Sequence, residues 1–240
     1  MPHKFLRTTV WSLSIVLVSL GALAANILMF NALEPLVGRL HVATGPLSWV
    51  LLEFCFVLAL WTFTIVLHEG GHLLAARLQG MTISEVKLGW FVFTPRWRGY
   101  KFEFRRRGSM FGGMVKVTVG SRSVRREMIL FVLGGPAMNL GCGILLGSLT
   151  WLAFVRGSVT LAGAIFALAL ANAYMGLANF LPIGRRIPSD GSRLYHWIFK
   201  GNKDLETLAL LRLMGLSVKG LRARDYTPGT CSFLKTHPCH

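Results

Sequence analysis

Between Val10 and Leu33 the chain runs for 24 positions without a charged residue. A bilayer core about 30 Å thick is crossed by roughly 20 helical residues. Backbone groups in hydrocarbon have no water to bond, so such a run must be helical. Three further apolar segments follow, at about 47–78, 127–155 and 159–181. The composition agrees: 53% of residues are hydrophobic and 15% are charged, where a soluble domain carries about 25% charged residues. The expected fold class is an α-helical integral membrane protein with about four transmembrane helices. A cleavage site after Ala22-Leu23-Ala24 is the rival reading of the first segment, but the apolar run continues past it, which favours an uncleaved helix.

The net charge is +16. In a soluble chain this would point to nucleic acid, but no recognition fold or aromatic-basic groove supports that partner. In a membrane protein such an excess sits in cytoplasmic loops facing anionic lipid. Four spans leave only Arg39 and Arg156, of the 26 Lys and Arg, on one side. The positive-inside rule then places both termini and the 80–126 region in the cytoplasm. The setting expected is a bacterial inner membrane.

Residues 80–126 interrupt the helical pattern. Val86, Leu88 and Trp90 alternate with Lys87 and Gly89, and Tyr100, Phe102 and Phe104 alternate with Lys101, Glu103 and Arg105. A period of two predicts short strands, with breaks at Pro95, Gly99 and Gly112-Gly113 before Val115–Val119. A membrane-associated hairpin or sheet over 82–119 is expected. It reads either as a basic loop on lipid headgroups, anchored by Trp90, Trp97 and Tyr100, or as an open strand edge that captures an extended peptide.

The second segment ends in Ile65-Val66-Leu67-His68-Glu69-Gly70-Gly71-His72. Residues i and i+4 share a helix face, so His68 and His72 offer two imidazoles to one metal ion. Glu69 stands beside them, where a carboxylate takes a proton from metal-bound water. With seven His and seven Glu in 240 residues, chance yields H-E-x-x-H in roughly 0.6% of such chains. Catalytic zinc usually takes a third protein ligand and leaves one open position. Among ten acidic residues, Glu53 lies about four turns from Glu69. Glu85, Glu103 and Glu127 fall in sheet or interface positions. Asp190 follows the Pro-broken end of the fourth segment and precedes Gly191, so it is the better candidate, with His196 the lesser. Asn139 and Asn179 would stabilise an oxyanion, hold a substrate backbone, or bond between helices. Gly134-Gly135-Pro136 suggests a kink in the third segment.

The ordered set His68-Glu69-Gly70-Gly71-His72, Gly135-Pro136-Ala137-Met138-Asn139, and Asn179-Phe180-Leu181-Pro182 followed by Asp190-Gly191 resembles the site-2 protease family of intramembrane zinc metalloproteases. The resemblance covers roughly residues 60–195. Gly112-Gly113-Met114-Val115 is similar to that family's glycine-led strand, which makes Gly113 a candidate for substrate binding. The resemblance implies that His68, His72 and Asp190 bind one Zn2+, that Glu69 is the catalytic base, and that a transmembrane protein or peptide is cut within the membrane; the charge split places this site near the cytoplasmic leaflet. The chain departs from the family in a longer stretch from Pro182 to Asp190, which includes Arg185-Arg186. The 80–126 region is too short to add an inserted PDZ domain, and the end of the chain too short for a CBS domain, so a minimal member is expected.

The membrane domain is expected to occupy residues 1–200. Residues 201–240 are expected to form a short amphipathic helix and a basic tail. Cys231, His237, Cys239 and His240 could make a Cys2His2 site, but no helix period supports them. Cys55 and Cys142 read as packing residues. The alternative function is an inactive membrane-helix-binding chaperone or scaffold.

Overall fold

The computed structural model describes residues 46–96, 99–105, 112–118, 124–182 and 189–199, with ten helical positions between Val16 and Ala32; the side chains of 46–50 and 53 are excepted. In chain order it has helix α1 (Pro46–Leu78), strands β1 (Thr82–Leu88), β2 (Phe91–Arg96), β3 (Gly99–Phe104) and β4 (Gly113–Thr118), then α2 (Val124–Val155), α3 (Val159–Phe180) and α4 (Asp190–Phe199). Three helices among the described residues are long and apolar enough to cross a membrane: Phe54–Leu78 of α1, α2 and α3. The expected first span lies largely outside the described residues. So do Trp97, Arg185, Arg186, the amphipathic helix expected after residue 201 and the Cys/His tail.

The backbone divides into two compact units. One comprises residues 1–71 and 135–193, the other 72–134 and 194–240. In the first, α2 and α3 meet through small residues. A Cβ on Gly143 would lie 3.1 Å from the Ala173 nitrogen, and one on Gly176 would lie 3.1 Å from the Pro136 carbonyl oxygen. Helices in lipid gain little from burying apolar surface against one another, so close backbone approach through small residues is what packs them. The outward faces carry exposed Phe54, Phe63, Ile144, Trp151, Phe154 and Leu161. Such surface is costly in water and suits acyl chains. Cys55 is exposed too, so it is not a packing residue, while Cys142 is half-buried. Gly134-Gly135-Pro136 lies within the continuous helix α2.

In the second unit, α1 ends in a Schellman turn. Gly80 takes φ 68°, its N–H donates to the Arg77 carbonyl at 3.0 Å, and the Met81 N–H donates to the Ala76 carbonyl at 2.9 Å. Met81 then packs with Ala76 in a core completed by Val115, Val124, Phe131, Val132 and Trp197, the apolar contact that accompanies this cap. The chain passes from the motif helix directly into the sheet.

The sheet is antiparallel in order β3-β2-β1-β4. The expected strands form, with two corrections. Trp90 is not in a strand: Gly89-Trp90 is the two-residue turn joining Leu88 to its partner Phe91. Gly89, at φ 58°, supplies the positive dihedral that such hairpins need at their first central position. Pro95 does not break the run but lies within β2. Pairing of β2 with β1 stops at Phe93, so the missing N–H of Pro95 costs no bond on that side. A register shift between Ile83 and Glu85 lets Ile83 and Val86, three residues apart, both pack on the core. Strict alternation would have turned one of them away. Phe91, Phe93 and Pro95 pair with Phe104, Phe102 and Tyr100. Tyr100, Phe102 and Phe104 are all more than half exposed.

On the opposite face, Glu85 bonds Lys116 at 2.9 Å and Arg105 at 3.2 Å. Lys116 foremost, then Arg105, hold the Glu85 carboxyl below its ordinary value of 4.5. Lys101 and Arg105 lower Glu103 likewise. A carboxyl lowered on folding contributes stability that is full above the ordinary value and is lost as pH falls through the folded one. Glu85→Gln is therefore expected to destabilise the detergent-solubilised protein by about 0.5–1 kcal/mol at pH 7. The difference from wild type should shrink as pH drops below 4.5. A difference in unfolding midpoint that stays constant from neutral to acidic pH would contradict this.

Candidate metal centre

Thr64, His68, His72 and Ala76 recur every four residues along α1 and are all buried. This is the face that helical geometry assigns to one side. Thr64 bonds back to the Leu60 carbonyl at 2.9 Å, which leaves the two imidazoles to face the site. Glu69, one position round the helix from His68, is 7% exposed. Arg77 and Leu78, at the end of the helix, are exposed, so the motif is buried while the helix end beyond it is not.

Asp190 is brought in from the far end of the sequence. It opens α4 and is 8% exposed. Its Oδ2 lies 2.8 Å from His68 Nε2. Two features hold this helix start. Ser189 is the N-cap: its Oγ accepts from the Ser192 N–H at 3.2 Å and donates to the Leu181 carbonyl at 2.7 Å. That hydroxyl satisfies a helix donor and ties the cap to the end of α3. Gly191 then lies so close to α3 that a Cβ there would be 2.1 Å from the Phe180 carbonyl oxygen. The helix begins at Asp190, four residues before its apolar-rich part Leu194–Phe199. The missed signal was Ser189-Asp190, a capping residue followed by an acidic first turn. At the other end of α4, Arg125 donates to the carbonyls of Trp197 at 2.7 Å and Ile198 at 2.6 Å, a cation on unsatisfied C-terminal acceptors.

The ligand atoms of His68, His72 and Asp190 lie within 4.8 Å of one another. His196 is not in this group; its ring stands edge-on to Trp197. His72 Nδ1 is 2.8 Å from the Phe131 carbonyl oxygen. A carbonyl only accepts, so Nδ1 carries the proton and Nε2 keeps its lone pair. This is the outer bond that orients metal-binding histidines.

The donor set fits a zinc ion. Two imidazoles and one carboxylate are a common catalytic set, with metal–ligand bonds of about 2.0–2.2 Å. Charge fits as well. Asp190 and Glu69 are both buried, and the buried residues among those described include no Lys or Arg. A pair of carboxylates out of water calls for a cation.

The remaining candidates divide. Asn139 is fully buried, with Nδ2 3.4 Å from His68 Nδ1. Asn179 is half-buried, and its Nδ2 donates to the Met175 carbonyl of its own helix at 3.0 Å. Gly113 opens β4 opposite Leu88. No periodicity in the sequence signals that a backbone carbonyl of α2 would bond His72.

The profile of peptidase family M50 matches residues 55–166. This segment, which holds His68, Glu69, His72 and Asn139, is therefore of the site-2 protease family. Proteins of that family are in general membrane metalloproteases that depend on zinc. Asn179 and Asp190 lie beyond the matched residues. No curated protein and no solved structure matches the chain.

Gly191→Ala tests how Asp190 is held. Its methyl would meet backbone, which yields less readily than a side-chain tip. Zinc affinity is expected to fall at least about tenfold, with a loss of about 1–3 kcal/mol in stability. Gly147→Ala, where a Cβ meets nothing within 4 Å, is expected to leave zinc binding unchanged. Equal zinc affinity in the two variants would show that Asp190 does not depend on this contact.

Proposed function

We propose that this chain is a zinc metalloendopeptidase that hydrolyses peptide bonds within membrane-spanning segments of anchored substrates. The observation that carries the proposal is the buried convergence of His68, His72 and Asp190, with Glu69 next to His68 on α1. Zinc bound there supplies a water whose pKa falls toward about 7 and polarises the scissile carbonyl. Glu69 is the general base: its carboxylate takes the proton of the attacking water and delivers it to the departing amide nitrogen. His72 stays fixed through its bond to Phe131. Asp190 stays fixed through the cap at Ser189 and the close contact of Gly191.

A substrate helix hides its carbonyls in its own hydrogen bonds and must open before attack. The outer strands β3 and β4 have backbone edges of the kind that hold an extended peptide. Gly113, at the start of β4, would offer its peptide groups there, and Asn179 would bind the substrate backbone. The aromatic face of β2 and β3 suits the lipid interface. The split of basic residues supports a cytoplasmic orientation for the sheet and for the site end of α1.

Glu69→Gln is expected to lower cleavage of a membrane-anchored reporter in proteoliposomes by at least about 10²-fold while retaining bound zinc, and chelation should abolish cleavage by wild type. Cleavage that survives both treatments would end the protease reading. Binding of the reporter without cleavage by wild type would favour the scaffold alternative. Stiffening the reporter helix with Leu near the cut should slow cleavage, while Gly, Ser, Asn or Pro there should speed it. Equal rates would count against the need for local unwinding.

A further inference from the structure

We propose that Asn139 is a positioning residue for His68, and that its amide oxygen fixes the imidazole tautomer that presents Nε2 to the metal. This rests on the zinc reading above. Three observations support it. Asn139 is fully buried in the middle of α2. Its amide lies 3.4 Å from His68 Nδ1, the ring nitrogen opposite the one that faces Asp190. Its Oδ1 has no hydrogen-bond partner among the described residues.

With Nδ2 toward the ring, the amide donates to an unprotonated Nδ1, and Nε2–H donates to Asp190. That is one self-consistent arrangement. It is the wrong tautomer for a ligand, because Nε2 then carries the proton. Metal binding needs the Nε2 lone pair and moves the proton to Nδ1, which requires an acceptor. Rotation of the Asn139 amide by 180° brings Oδ1 to that place. Amide oxygen and nitrogen have nearly the same shape, so the turn needs little space. It leaves the amide nitrogen where the oxygen was. What favours it is therefore the bond gained, a metal-polarised N–H donating to an amide oxygen, over a long N–H···N contact. Asn139 thereby serves both the metal-free and the metal-bound histidine.

The test uses the full chain in detergent, with zinc affinity measured by chelator competition and folding checked by thermal unfolding without metal. Asn139→Leu keeps the volume and removes the acceptor. Its zinc affinity is expected to fall 10–100-fold. Asn139→Asp restores an acceptor and should bind zinc within a few-fold of wild type or more tightly. In the zinc-loaded wild type, imidazole 15N shifts should assign His68 as Nδ1-protonated and Nε2-bound. Wild-type affinity in Asn139→Leu, equal losses in the Leu and Asp variants, or Nδ1 ligation would each overturn the proposal while leaving the metal reading intact. Absence of zinc binding by wild type would overturn both.

Discussion

Taking an ionised side chain out of water costs several kcal/mol even after the surroundings relax, and this cost governs where polarity is found in the described spans. Thr64 and Asn172 are fully buried, and each bonds a carbonyl of its own helix. The other buried polar groups of α1 and α2, together with Asp190, collect at one place: His68, Glu69, His72 and Asn139. The remaining buried positions of the described spans are apolar or small. Polarity concentrated in this way is sustained by mutual pairing and suits a divalent charge.

The side chains of the centre are held chiefly by backbone. His72 leans on the Phe131 carbonyl, Ser189 on that of Leu181, and Gly191 lies against that of Phe180. A carbonyl inside or at the end of a helix moves only with its helix, whereas a side-chain partner can change rotamer. Positioning by main-chain atoms therefore makes the geometry a property of how the chain is folded, with few further side chains needed to maintain it.

The sequence made some of this legible and hid the rest. Helical spacing exposed His68 and His72, because a four-residue interval is itself a statement about one face. Period-two alternation exposed β3 and β4. Pro95 misled because its missing donor matters only where a neighbouring strand is present, and pairing with β1 has ended by then. Trp90 followed the alternation yet belongs to the turn, since Gly89 imposes the bend. The bulge at Ser84 was invisible because it depends on register with β4. Asp190 was picked out by elimination and by family resemblance, but its helix start and its reach to His68 arise from contacts across 122 residues of sequence. The pairing of Asn139 with His68 was likewise beyond any local pattern: sequence offered it as an oxyanion group or a helix-to-helix bond.

The cap at Ser189 bears on the stretch between Pro182 and Asp190. Leu181 and Ser189 are fastened to each other, so the two ends of the connection between them are held together whatever its length. Lengthening such a loop changes its closure entropy only slowly, by about 0.6 kcal/mol per doubling. Asp190 takes its position from the fastening, and the number of residues between Pro182 and Ser189 is free to drift. A change of length here leaves Asp190 where the clasp holds it.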